Sequence, residues 1–394
     1  MQKVNTLYYS STLDGILEKI HNIGREVIAI HADNVDRNAR FPKEAFDALK
    51  AEKLLSCYVP VEFGGMGLSI SDLSKICETL SHYCASTSMI FAMHQIQVAC
   101  ITHHALGSAF FQNFTREMVE KQLLLASATT ELGVGGDVRS SICAPTIEDN
   151  ILTLEKQAPV ISYGEHADAI LVTCRKSVDA ARNDQIQVLV TKKDYTLTRI
   201  SDWDTLGFRG TCSCGFILKA KCRADHILPV PYSEIHTKTM HPFAHSVWAS
   251  LWLGIAADAV SRARSGVKAE ARKTPGTLPP STLRLAEVDS TLFTMRGSVR
   301  QAIAEYHGLL NKNNLEAFSN FGFSTRINNL KITASELVVE IVSKAMMICG
   351  IAGYRNDSKI SLSRSLRDAY GAALMVNNDR ILGQSAQIQI MQRD

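Results

Sequence analysis

The chain has few extremes, and what it lacks sorts the possibilities first. None of its ten cysteines pairs at C-x-x-C spacing, which excludes a zinc ribbon and a thioredoxin-type dithiol. They scatter from Cys57 to Cys349, as small buried side chains do in a reducing compartment, and no metal site is expected. Charge of one sign is missing too. The 42 Lys and Arg against 39 Asp and Glu leave a formal net charge of +3, too weak a bias for nucleic acid or an anionic membrane surface. No apolar run reaches the ~18 residues of a membrane span. The opening MQKVNTLYYSSTLDGILEKI lacks a basic stretch followed by an apolar core, so no secretory leader is read there. Internal repeats and low-complexity tracts are absent. These features predict a cytoplasmic chain, neither membrane-inserted nor bound to nucleic acid.

What is present is 394 residues, 46% of them hydrophobic, enough for several packed layers. Three textures follow one another, dividing the chain at 1–125, 126–235 and 236–394. The first is helical. Thr12–His31 places Leu13, Ile16, Leu17, Ile20, Ile23 and Val27 on one stripe, the 3.6-residue period of a half-buried helix. Further helices are predicted over Phe41–Leu55, Asp72–Tyr83 (capped by Ser71 or Asp72), Ser88–His104 and Thr115–Leu125. The second region alternates β-rich runs with turns: ILTLEK, AILVTC, QIQVLVT, GFILKA and HILPVP. It predicts an antiparallel meander or barrel. The third is helical over Phe243–Arg272, Ser281–Leu310, Thr325–Cys349, Ser361–Met375 and Asn378–Met391, with KTPGTLPP breaking the first pair. Helices, then strands, then a bundle of long helices make the fold class α+β.

Four segments, in order, resemble signatures of the acyl-CoA dehydrogenase superfamily: YVPVEFGGMGLS at 58–69, ATTELGVGGD at 128–137, WDTLGFRGTCSCGFIL at 203–218, and CGIAGY with SLRDAYGAALMVNNDRI within 349–381. The second is similar to T-E-P-G-x-G-S-D, the third to L-G-x-R-x-S. The resemblance spans nearly the whole chain. It implies an N-terminal α-helical domain, a middle β-barrel or sheet domain and a C-terminal four-helix-bundle-like domain. It also implies FAD and α,β-desaturation of an acyl thioester, carried by CoA or an acyl carrier protein, with hydride transfer to the flavin. An electron-accepting flavoprotein partner and a homo-oligomer, dimer or tetramer, come with it.

Chemistry supports parts of that reading. The glycines of ATTELGVGGD, Gly135 among them, let backbone approach a flat ring, and the Thr129 and Thr130 hydroxyls can donate to its acceptors. A plain tight turn would use the same residues. Ser162, in PVISYG, falls where the family sets a hydroxyl against the flavin. Arg272 matches an arginine that reaches the pyrophosphate of a neighbouring subunit's flavin, a contact suited to guanidinium, though a solvated helix end is the alternative. Asn378 stands in for a threonine that contacts the cofactor.

The departures bear on mechanism. The family's usual base is a glutamate nine residues after the R-D arginine; counted from Arg367, that place holds Val376. Some members put the base on the first long helix of the last domain, but the matching window HPFAHSVW contains only His241 and His245. His245 is a candidate general base, or a general acid in monooxygenase relatives; the alternative is a structural donor in an apolar helix. Asp379 is the other candidate base, its alternative being a helix cap. Flavin contacts are thinned at Val160, Gly136, Pro275, Met347 and Ile351. Three functions stay open: a dehydrogenase with a relocated base, a flavin-dependent monooxygenase that needs no α-base, and a catalytically silent member. Met89, Phe91, Met93 and His94 are candidates for the pocket wall or for plain helix core.

Overall fold

The computed structural model describes residues 2–273, 275–312 and 314–391. Helix α1 (Gln2–Ile23) runs through a π-helical turn, Gly24–Ile28, into α2 (Ala29–Arg37). Leu13, Ile16 and Ile20 are buried as the stripe requires. The π turn inserts one extra residue and advances the register, so Ile28 is buried where Val27 was expected, and Val27 is only half-buried. Helix α3 (Lys43–Ala51) follows Pro42. Helix α4 (Ile70–Ser81) begins earlier than its periodicity suggested, because Ser69, not Ser71 or Asp72, is the cap. Ser69 Oγ accepts from Asp72 N, and Asp72 returns a carboxylate oxygen to Ser69 N at 3.0 Å, a reciprocal capping box. Helices α5 (Ala85–His104) and α6 (Ala109–Lys121) complete the first layer.

Seven strands follow: β1 (Leu125–Ala128), β2 (Thr146–Glu148), β3 (Ile151–Ala158), β4 (Ala169–Arg175), β5 (Gln185–Thr191), β6 (Tyr195–Ser201) and β7 (Gly215–Arg223). They form two sheets, β1-β4-β5 and β2-β3-β7-β6. The second sheet is antiparallel throughout but is not the expected meander, since β7 lies between β3 and β6, and in the first sheet β1 pairs with β4 in parallel. The chain leaves the first sheet after β1, builds β2 and β3 of the other, and re-enters in the same direction. HILPVP is not a strand: it supplies one isolated bridge, Ile227 to Val188, with its two prolines in the following loop.

The last layer holds α7 (Tyr232–Ile235), a second π-helical turn at His236–Met240, α8 (His241–Ala271), α9 (Ser281–Asn311), α10 (Phe321–Cys349), α11 (Ile351–Tyr354), α12 (Ser363–Leu374) and α13 (Asn378–Met391). Helix α8 packs on α4, α5, α9 and α10. Its N-terminal part is apolar on nearly every side while its last turns expose Arg264, Lys268 and Glu270, and its most apolar window is 83% buried inside the protein, the behaviour of a core helix. It crosses α4 closely at Gly254, where a Cβ would sit 2.2 Å from the Glu78 carbonyl oxygen. One turn earlier, the Ser74 and Ser250 hydroxyls bond at 2.6 Å.

Substituting Gly254→Ala forces this crossing apart, because the obstructing atom is backbone. We expect a loss of about 1–3 kcal/mol, read as a lowered urea midpoint at unchanged slope; an unchanged midpoint would show that the two helices do not meet there.

Candidate active site

Beneath α8 the three layers meet around a cavity of about 230 Å³. The middle of α5 contributes Met93, Ile96 and Gln97. The end of β1 and its following loop contribute Ser127, Thr129 and Thr130, and the segment after β3 contributes Val160 and Ser162. The start of α8 and the turn before it add His236, Met240, His241, Ala244, His245 and Trp248; the α12–α13 turn adds Met375 and Val376. A second, more polar chamber of about 450 Å³ lies outside it, lined by Arg139, Ser319, Arg380 and Gln384 among others. His236, His241, His245 and Val376 line both.

The loop under the cavity is pinned from behind. Glu131 is buried and accepts from Ser141 Oγ at 2.6 Å, Cys143 N at 2.7 Å and Ile142 N at 3.1 Å. Lys156, on β3, is also buried. Its ammonium lies 3.8 Å from Glu131 and donates to the Thr173 carbonyl at 2.6 Å. Burial pulls the Lys156 pKa below its ordinary value, and the carboxylate opposes that pull. Gly133, Gly135 and Gly136 all have positive φ, which lets the loop fold back in a form that a side chain would resist. Arg380 donates to the Gly135 carbonyl.

The histidines are held together by the π turn. In an α-helix, residues 236 and 241 would diverge around the axis. The i→i+5 turn stacks their rings, with centroids 5.6 Å apart and 17° between planes. His241 and His245 meet edge-on at 4.5 Å. Helix α10 fixes two of the rings: His241 Nε2 donates to Asn328 Oδ1 at 2.8 Å, and His245 Nδ1 donates to the Ile327 carbonyl at 3.3 Å. Burial, the largest cause for each, drives all three pKa values down, to about 3 for His236, below the ordinary value for His241 and well below it for His245. Two cations act on them, Arg139 on His236 and His241 and Lys331 on His245; Lys331 lies behind the wall. It is itself lowered by burial to about 8, and it donates to Asn378 Oδ1 at 2.6 Å.

Of the residues singled out in the sequence, Thr129, Thr130, Ser162 and His245 stand in the inner wall. Thr130 Oγ1 donates to the Val160 carbonyl at 3.0 Å, and Ser162 accepts from Ser213 Oγ at 2.8 Å. Asn378 lies behind the wall, held by Lys331 and Ser335. Arg272 is exposed at the end of α8. Asp379 is exposed in the first turn of α13, outside the lining of both chambers, and its N–H is bonded by Asn377 Oδ1 at 2.9 Å. Met93 reaches the cavity. His94 is structural, accepting from Leu125 N at 3.0 Å and donating to the Leu55 carbonyl at 2.7 Å.

Sequence reasoning missed His236, Gln97, Trp248 and Lys156. A π turn leaves no signature in residue spacing, and a lysine in ILTLEK reads as solvated. Val376 also gained a feature: its φ of +50° puts a β-branched residue in the left-handed region, a strained conformation at such a site.

The inner lining contains no Asp or Glu among the described residues. It is an apolar slot with hydroxyls at Thr129 and Ser162. The buried Trp248 Nε1 and Gln97 Oε1 lack protein partners. These residues fit a flat heteroaromatic ring that carries its own donors and acceptors. Residues 11–109 match the acyl-CoA dehydrogenase N-terminal domain, and residues 239–375 match the C-terminal domain. The chain belongs to the acyl-CoA dehydrogenase superfamily. It is 23% identical over 368 residues to cyclohex-1-ene-1-carbonyl-CoA dehydrogenase of Syntrophus aciditrophicus (strain SB), covering 90% of this chain and 84% of that one. It is equally similar, at 23% over 348 residues, to the amino sugar nitrososynthase DnmZ of Streptomyces peucetius, covering 86% and 84%. Among solved structures, FMN-bound TdsC of Paenibacillus sp. A11-2, a dibenzothiophene monooxygenase, matches the fold with a TM-score of 0.81 at 20% identity over 97% of each chain. Superfamily members are in general flavin oxidoreductases, and this chain has their three-layer fold.

Two outcomes follow from this geometry. Histidines that stay neutral when folded bind protons only after unfolding, so the unfolded chain holds more protons below pH ~6.5. Stability is therefore complete above that pH and falls as pH drops, by up to about 1.4 kcal/mol per pH unit per histidine. His94, His103 and His104, each lowered to about 4, add to the effect. Asp368, raised to about 6 by burial, acts in the opposite sense. Urea midpoints should fall between pH 7 and pH 5, less so in His236→Phe; equal slopes for the variant and the parent would contradict the buried neutral ring. Separately, Val376→Gly should raise the thermal midpoint, worth about 1 kcal/mol, by removing the strained φ; a lower midpoint would mean that the side chain's packing outweighs the strain.

Proposed function

We propose that the protein is a flavin-dependent monooxygenase on this fold. The observation that carries the reading is the wall of the inner cavity: neutral imidazoles and no carboxylate. Removing a proton α to a thioester carbonyl requires a base within about 3 Å whose pKa suits the task. Val376 occupies the place of the family's glutamate, and Asp379 faces solvent. His245 is a poor base because its charged form is disfavoured by burial and by its neighbours His241 and Lys331. A bound flavin supplies hydride transfer and, once reduced, the activation of dioxygen. For the second chemistry the chain needs a dry, uncharged chamber and a positioned hydrogen-bonding group, and the wall from Met93 to Trp248 has both. Similarity to a nitrososynthase and to a monooxygenase supports this choice.

We propose FAD as the flavin. Thr129, Thr130 and Ser162 serve its ring, Gly135 serves the loop beneath, and Arg272 reaches the cofactor of a neighbouring copy. Asn378 then acts through Lys331 and Ser335. The exposed Phe293, Met347, Ile351 and Tyr354 are apolar area that a homo-oligomer would cover. The second reading, dehydrogenation of an acyl-CoA with His245 as base and an electron-accepting flavoprotein as partner, is favoured by the dehydrogenase relatives of similar length.

The test supplies the FAD-loaded protein with a flavin reductase, labelled dioxygen and indole, the aromatic with which TdsC is solved alongside FMN. Label should enter the product, and butyryl-CoA should leave the visible flavin band unchanged under anaerobic conditions. His245→Gln should lower product formation by about 10²-fold if it positions a proton at the reacting group. Anaerobic bleaching by the thioester, with no label incorporated, would reverse the assignment in favour of dehydrogenation.

A further inference from the structure

Behind the glycine loop, one cysteine and one lysine share their neighbours. Cys143 Sγ donates to the Thr173 carbonyl at 3.9 Å, the same oxygen that Lys156 Nζ reaches at 2.6 Å. Ser141 Oγ lies 3.4 Å from Cys143 Sγ and donates to Glu131 Oε2, and that Glu131 oxygen is 3.8 Å from Lys156 Nζ. The thiol and the amine are thus drawn together from two sides, by a backbone carbonyl and by a carboxylate. Cys143 is half-buried and Lys156 is buried. Opposite Thr173 in the ladder, on the same face of the sheet, stands Gln187. It is fully buried, and both ends of its amide lack partners among the described residues, a polar spot that suits a small hydrogen-bonding guest such as water or peroxide. The proposed oxygenase chemistry uses none of these groups.

We infer that Cys143 and Lys156 form a modification site, at which hydrogen peroxide joins Sγ to Nζ in a covalent cross-link between the loop beneath the cavity and β3. In the first step Sγ attacks one peroxide oxygen. The O–O bond breaks, the sulfur is oxidised to a sulfenic acid, and the other oxygen leaves as water. In the second step the Nζ lone pair attacks Sγ. The S–O bond breaks, and the departing hydroxide takes a proton from the amine and leaves as a second water. One peroxide is consumed, and the thiol and amine each lose one hydrogen. A second peroxide can insert an oxygen between sulfur and nitrogen and release a third water. Burial lowers the Lys156 pKa, which favours the neutral, nucleophilic amine. Burial also raises the Cys143 pKa, against the pull of the Lys156 charge, so the first step is slow and needs excess peroxide. The link would take from Glu131 the cation beside it and tie the base of the glycine loop to the sheet. It goes beyond the oxygenase reading and stands without it, because the peroxide is supplied from outside.

The experiment treats the protein as purified with excess hydrogen peroxide, removes the excess with catalase, and digests after glutamate without reductant. Glu148 and Glu155 lie between the two residues, so their peptides separate unless they are joined. We expect a linked pair about 2 Da lighter than the two peptides together, or about 14 Da heavier where an oxygen bridges them, and dithiothreitol should release both forms. Lys156→Arg keeps a cation beside Glu131 and removes the nucleophile. In that variant the link should vanish while dimedone still traps the Cys143 sulfenic acid. Cys143→Ser should lose the link and the trapped acid together. Should Lys156→Arg fail to fold, the wild type and Cys143→Ser carry the comparison. The inference is overturned if wild-type Cys143 stays unmodified or runs on to the sulfinic acid unlinked. A disulfide from Cys143 to Cys174, the next residue of β4 after Thr173, would overturn it too, as would a link that persists in Lys156→Arg.

Discussion

The N-terminal part of helix α8, through Val260, is almost wholly apolar, and the need to bury it on every side organises the protein. Helices α4, α5, α9, α10 and α12 pack against it, close enough at α4 that only a glycine fits at Gly254. A helix so enclosed leaves little solvent at its N-terminal end, where His245 is buried and His236 and His241 are half-buried. Polar groups there must be neutral or find partners inside the protein. The histidines at 236, 241 and 245 meet that condition by staying uncharged. Two of them hydrogen-bond to α10 through groups that carry no charge, the Ile327 carbonyl and the Asn328 amide.

The same constraint separates this chain from what its family signatures suggest. At the place where the family resemblance leads one to expect a glutamate, counted from Arg367, the chain carries Val376 in a strained backbone conformation. Two buried lysines stand behind the wall: Lys156 against Glu131 below the glycine loop, and Lys331 against Asn378. Both lysines stiffen the frame of the cavity without entering its lining. The lining of the chamber holds no carboxylate among the described residues.

The fold was largely legible because helical periodicity is local, although the cap of α4 fell at Ser69 rather than at Ser71 or Asp72. The stripe Leu13–Ile16–Ile20 and the long helices of the last region follow from residue spacing alone. The errors came where something non-local intervened. The π turn at Gly24–Ile28 shifted the register of Val27; the excursion into a second sheet made β1 and β4 parallel; and HILPVP, apolar enough for a strand, serves as a bridge and a loop. The site was legible in part. Thr129, Thr130, Ser162 and His245 stand in one wall. Asp379, chosen for its chemistry and its nearness to Val376, faces water, because the first turn of α13 points it outward.

The order of amino acids by itself determined the class of fold, the succession of helical, β and helical regions and the glycine loop, since each is written in composition or spacing. Only the tertiary structure decided which histidines share a wall, which nitrogen each protonates and whether they carry charge. Those properties belong to no single segment. They arise where α10 offers its carbonyl and amide to α8, and where burial removes the water that would have stabilised an imidazolium.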